Sequence, residues 1–143
     1  MALAVAAELA GIELVSIDSM QVYRGMDIGT AKPTAAERVA VRHHCIDLVD
    51  PTDDFTVAKF KEAHRRALDD IASREGRALL VGGTGLYHRV VIDDFDLPGE
   101  WPDVRASLAS RDLADLYAHL GGLDAAAAAK IEPENRRRVV RAL

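Results

Sequence analysis

At 143 residues the chain can bury one ordinary core and is too short for two comfortable domains. Its residues are 49% apolar, 29% charged and only 5% aromatic, which predicts a globular protein with an aliphatic core. No apolar run approaches the ~20 residues of a membrane helix, the single cysteine, Cys45, excludes an internal disulfide, and a net charge of −5 argues against generic binding of polyanions. Met1 to Ala10 is apolar but has no basic leader and carries Glu8, so a cytoplasmic protein is expected.

In chain order, residues 1–10 read as a helix ended by Gly11. Ile12 to Ile17 reads as a strand running into Asp18-Ser19. Pro33 and the pair Thr34 and Glu37 form a capping-box signature for a helix of about two turns. Cys45 to Val49 is expected to be a second strand, closed by Asp50-Pro51. Thr56 caps the next helix, whose apolar positions Val57, Phe60, Ala63, Ala67, Leu68 and Ile71 keep helical spacing up to Gly76. Ala78 to Val81 is wholly apolar and predicts a strand buried on both faces, as in a parallel sheet. It runs into Gly82-Gly83-Thr84-Gly85 and another helix.

This alternation predicts an α/β fold: a parallel sheet with right-handed crossovers and flanking helices. In such sheets ligands lie beyond the C-terminal strand ends, here Asp18-Ser19, Asp50-Pro51 and Gly82 to Gly85. After Pro98 only short helical pieces are expected, at about 103–109, 112–120, 124–130 and 134–143. The organisation therefore reads as an α/β core over 1–99, a short helical insertion over 100–132, and a basic helix from 133–143 returning to the core. Residues 133–143 hold four arginines against one acid, leaving −8 on the other 132 residues. Such a patch on an acidic body fits either docking to one shaped polyanion or a solvated helix face.

The run from Asp18 to Pro33 (DSMQVYRGMDIGTAKP) is the densest in functional groups. Asp18 stands at the end of a buried strand, where a carboxylate can act as a base. Gln21 offers the donor and acceptor that read an adenine edge. Gly25 and Gly29 permit tight turns, and Lys32 supplies a cation for phosphate.

That run, followed by His43-His44, Ile46-Asp47 and Asp50-Pro51, then Val81-Gly82-Gly83-Thr84-Gly85-Leu86-Tyr87, resembles in order and spacing the signature series of tRNA dimethylallyltransferases. Pro133-x-Asn135 leading into Arg138-Val139-Val140-Arg141-Ala142-Leu143 lies where that family has a second tRNA-contacting segment. The resemblance implies a P-loop-kinase-like core and transfer of a dimethylallyl group from its diphosphate to the exocyclic amine of adenosine 37. It implies Asp18 as the base and Thr84 as the second catalytic residue. Asp18, Ser19, Met20, Gln21 and Thr84 would bind the tRNA, with Ser19, Met20 and Gln21 around a flipped base, since the amine is inaccessible in a stacked loop. Lys32, Gly83 and Thr84 would meet the diphosphate, the last two at a helix N-terminus. Arg105, Arg137, Arg138, Val139, Val140 and Arg141 would contact the anticodon stem-loop. A monomer is expected.

The family's loop of the Gly-x-x-x-x-Gly-Lys-[Ser/Thr] kind is expected immediately upstream of Met1. Its amides and lysine hold the diphosphate and its hydroxyl helps hold Mg²⁺, so Mg²⁺ is the expected cofactor with no metal ligand assigned within residues 1–143, and those residues alone are expected to be inactive. Residues 103–123 look short for the family's insertion, Asp124-Ala125 stands where Asp-Pro is common, and Arg137 where glutamine is common. The alternatives are an ATP-dependent small-molecule kinase of the same architecture and a non-catalytic RNA-binding remnant. Adjacent His43 and His44 point to opposite faces of an extended segment, so structural histidines beside a buried Cys45 are favoured over a metal site. Asp93-Asp94-x-Asp96 lacks the glycine and closing glutamate of a calcium loop and reads as a solvated turn.

Overall fold

The computed structural model describes residues 1–95, 99 and 101–143. Two compact units emerge, Met1–Leu97 and Pro98–Leu143. In the first, three parallel strands, β1 (Ile12–Ser16), β2 (His43–His44) and β3 (Arg77–Val81), lie in the order β2-β1-β3. Helix α1 (Ala2–Glu8) precedes β1, α2 (Ala35–Ala40) and α3 (Val57–Ala72) fill the crossovers, and α4 (Gly85–Ile92) leaves β3.

Local chemistry accounts for these boundaries. The capping box of α2 is complete, with the Thr34 hydroxyl accepting from the Glu37 amide and the Glu37 carboxylate accepting from the Thr34 amide at 2.7 Å. Thr56 caps α3 by accepting from the Lys59 amide. Helix α3 buries Phe60, His64, Ala67 and Ile71, whereas the expected core residue Leu68 is 37% exposed. The main core joins Val15, Ile17 and Val22 to Phe60, Ile71 and Tyr87, whose ring stacks on Phe60 at 3.7 Å between centroids. Deep in the sheet, Glu13 receives His44 Nε2 at 2.6 Å and Arg74 NH2 at 2.9 Å; burial would raise its pKa, but these partners hold its carboxyl below the usual range.

Two strand expectations are corrected. Strand β2 is His43–His44, not Cys45 to Val49, because Cys45 and Asp47 take φ of 60° and 53°, outside the extended region. The histidines are structural: His43 Nδ1 meets the Val41 carbonyl and His44 meets Glu13, beside a buried Cys45 whose thiol burial pushes up to about 12. Strand β3 is not buried on both faces: Arg77, Ala78 and Val81 are exposed, Val81 by 38%, and among the described residues β3 pairs with β1 alone.

The second unit contains α5 (Pro102–Ala109), α6 (Leu113–Leu123), α7 (Ala125–Ala128) and α8 (Arg136–Ala142) around Leu108, Leu116, Leu120, Ala128 and Val139. The basic helix α8 thus shares a core with the helices before it rather than forming a third piece. Asp94, of the expected acidic turn, pairs with Lys61 at 2.8 Å; Asp96 of that turn, and residues beside the expected 99/100 boundary, lie outside the described residues.

Candidate active site

The parallel register Val15↔Leu80 and Ser16↔Val81 delivers the ends of β1 and β3 together. Just past it the Ile17 amide donates to the Val81 carbonyl at 2.8 Å, and the Thr84 amide donates to the Ile17 carbonyl at 3.3 Å. Gly82 passes so close that a β-carbon there would lie 2.6 Å from the Ile17 carbonyl carbon, and its φ is 150°. Only glycine fits that approach and that backbone.

Thr84 takes the N-cap position of α4 but makes no side-chain cap. Its hydroxyl instead accepts from the Ser19 amide at 3.0 Å and donates to the Ser19 hydroxyl at 3.3 Å. The first turn of α4 therefore keeps amides aimed beyond the strand ends, where anions are favoured. Asp18, half-buried, turns one carboxylate oxygen onto the Met20 amide at 2.7 Å. Among the described residues its second oxygen takes no hydrogen bond. Met20 is 44% exposed and Gly83 is exposed. Asp18, Ser19, Met20, Gly83 and Thr84 are thus gathered at one place, as the sequence suggested.

Gln21 and Lys32 are used differently. The Gln21 amide oxygen accepts from the Ser16 hydroxyl at 2.8 Å, while its nitrogen donates to the carbonyls of Thr30 and Ala31 at 3.0 and 3.1 Å. Both its donors are taken inside the loop. The expectation that Lys32 meets diphosphate is corrected: its side chain is 1% exposed, and Nζ is bound to the Tyr23 carbonyl (2.7 Å), Asp47 (2.8 Å) and Asp27 (2.9 Å). All three ammonium donors are occupied. Burial would lower its pKa, but the two carboxylates outweigh that and hold it above the usual lysine value. Asp47 and Ser16, given no individual role from the sequence, are the residues that engage Lys32 and Gln21; an acid interrupting an apolar run, at Ile46-Asp47-Leu48, was the available signal for the first.

In the second unit Arg105, Arg137, Arg138 and Arg141 are exposed. Val139 is fully buried and Val140 packs beside it, so the expected contact of these two with tRNA is corrected: their side chains belong to the helical core. Arg136 donates to the carbonyls of Leu108, Ala109 and Arg111, closing the C-terminal end of α5. The arginines left outward are those at 137, 138 and 141, one helical face apart from the valines.

The IPP transferase family model matches residues 21–143. The chain is 50% identical over 135 residues to a tRNA dimethylallyltransferase of Bifidobacterium longum, covering 92% of this chain and 41% of that protein. It is 53% identical over 137 residues to one of Roseiflexus, covering 92% of this chain and 45% of that one. Among solved structures it is similar to the full-length tRNA isopentenylpyrophosphate transferase of Bacillus halodurans, with TM-score 0.62 and 45% identity over 99% of this chain and 48% of that one. A eukaryotic dimethylallyltransferase captured acting on tRNA gives TM-score 0.77 and 28% identity over 97% of this chain and 36% of that one. The chain thus spans less than half the length of these relatives.

Proposed function

This chain belongs to the IPP transferase family, and on that premise we propose that it supplies the acceptor-binding and catalytic strand ends of an enzyme that transfers a dimethylallyl group from dimethylallyl diphosphate to the exocyclic amine of adenosine 37 in tRNA. The observation that carries this is the junction of Asp18, Ser19 and Thr84 at the ends of two adjacent parallel strands. The amine nitrogen attacks the allylic carbon, a C–N bond forms, the C–O bond to diphosphate breaks, and the proton leaves to the free oxygen of Asp18. Ser19 and Met20 border the base, which must leave its stack to bring the amine to that oxygen. The first turn of α4, whose amides no side chain caps, faces the departing diphosphate, and the Thr84 hydroxyl holds Ser19 beside it. Gln21 acts by holding the loop.

Mg²⁺ suits a diphosphate leaving group, and such an ion is held largely by phosphate oxygens and water. Among the described residues no three of His, Cys, Asp and Glu gather to hold a metal. The exposed arginines 137, 138 and 141, with Arg105, suit the anticodon stem-loop backbone. Among the described residues no helix is long and apolar enough to cross a membrane. The family disfavours the kinase alternative.

The test is transfer of labelled dimethylallyl from its diphosphate to tRNA in the presence of Mg²⁺, using the full-length gene product. Label on the adenosine amine is the expected result. Label transferred only to free adenylate, or none with tRNA bound, would overturn the reading.

A further inference from the structure

The loop that begins with Asp18 to Gln21 is closed by charges the transfer chemistry does not use. Asp47, on the neighbouring segment, binds Lys32 through one carboxylate oxygen at 2.8 Å and Arg38 through the other. Its backbone amide donates to the Gln21 carbonyl at 3.0 Å, the Leu48 amide to the Val22 carbonyl at 2.7 Å, and the Arg24 amide to the Val49 carbonyl at 2.8 Å. Lys32 reaches back to the Tyr23 carbonyl and across to Asp27. Asp47 therefore holds the loop at two places, its carboxylate at Lys32 and its backbone amide at Gln21, and it stands at a φ of 53°. A non-glycine residue persists in that region only when its surroundings hold it, although aspartate tolerates it better than most. Burial would raise the pKa of Asp47, but Lys32 and Arg38 overcome this and keep it charged below the usual range.

We infer that Asp47 is a positioning residue for the transfer, acting through Lys32 to fix the loop that carries Asp18 and Ser19. This rests on the proposed function. A reacting carboxylate displaced by about 1 Å loses much of its rate, so the brace acts on the chemical step, while the diphosphate side, built on Gly82 to Thr84, keeps its own backbone ties to Ile17.

The test uses Asp47→Asn, which keeps the size, one acceptor oxygen and tolerance of the left-handed backbone, and Lys32→Met as a second variant. In the full-length protein both are expected to lower kcat at least tenfold while KM for dimethylallyl diphosphate stays within twofold. The double variant should be no slower than the worse single one, because the two act through one link. Hydrogen exchange of residues 1–143 should speed at the Leu48 and Arg24 amides and stay unchanged at Ile17, which pairs β1 with the end of β3. Wild-type kcat in Asp47→Asn, multiplied losses in the double variant, or equal acceleration at Ile17 would each overturn the inference, the last marking a merely structural role. If the wild-type protein transfers nothing to tRNA, the proposed function fails; unchanged exchange at Leu48 and Arg24 would independently remove the brace.

Discussion

A methyl group on Gly82 would meet the Ile17 carbonyl carbon at 2.6 Å and its oxygen at 2.7 Å, both backbone atoms that cannot swing aside. Gly82→Ala should therefore cost about 2–4 kcal/mol and push the ends of β1 and β3 apart; a denaturation midpoint equal to wild type would show that the strands relax freely. Gly83, with open space around its α-carbon, should accept alanine with far less loss of stability. Asp18 poses the chemical question. Asp18→Asn keeps the acceptor that holds the Met20 amide but removes the base, so single-turnover transfer should fall roughly 10²–10⁴-fold with tRNA affinity little changed. A normal single-turnover rate would take the base role from Asp18.

Helix α3 illustrates what periodicity conveys and what it hides. Its cap, its length and the burial of Phe60, Ala67 and Ile71 follow from spacing, but His64 was invisible in that pattern because an imidazole counts as polar until its neighbours are known. It is buried against Phe60, and among the described residues its Nε2 has no hydrogen-bond partner. Burial lowers its pKa, so the unfolded chain binds the proton more readily than the folded one. Stability should then decline as pH falls below the unfolded value of ~6.5, and His64→Leu should flatten that decline, as measured by urea midpoints at pH 7.5 and 5.5. An identical slope in the variant would leave the acid sensitivity to other groups.

Helix α8 separates its sides as clearly. The basic composition of residues 136–141 was legible, but which arginines face out was not, since that depends on Val139 entering the helical core and Arg136 closing α5. Replacing Arg138 and Arg141 by alanine should weaken tRNA binding and reduce its salt slope by about two units or slightly less. Salt titration of anticodon stem-loop binding checks this, and parallel slopes would return the helix to a solvated face. The site followed the same rule: strand-end residues Asp18 and Thr84 were readable from motif and topology, whereas the engagement of Gln21 and Lys32 required knowing that Ser16 and Asp47 lie opposite them.

At the scale of the whole molecule, the apolar run Ala78 to Val81 identified a strand correctly and misjudged its surroundings, because composition reports hydrophobicity and not the number of neighbouring strands. Among the described residues β3 has β1 on one side only, and on the other it presents a row of amides and carbonyls beside partly exposed apolar side chains. Such a row is a template on which another extended segment can add. For material prepared as residues 1–143 the consequence is colloidal: self-association should increase with concentration and with salt that screens the net charge of −5. Ala78 is exposed on that strand, and Ala78→Lys places a charge along the row without touching the buried core. Sedimentation velocity over a concentration series should show the wild-type boundary broadening toward faster species while the lysine variant remains a single slow boundary.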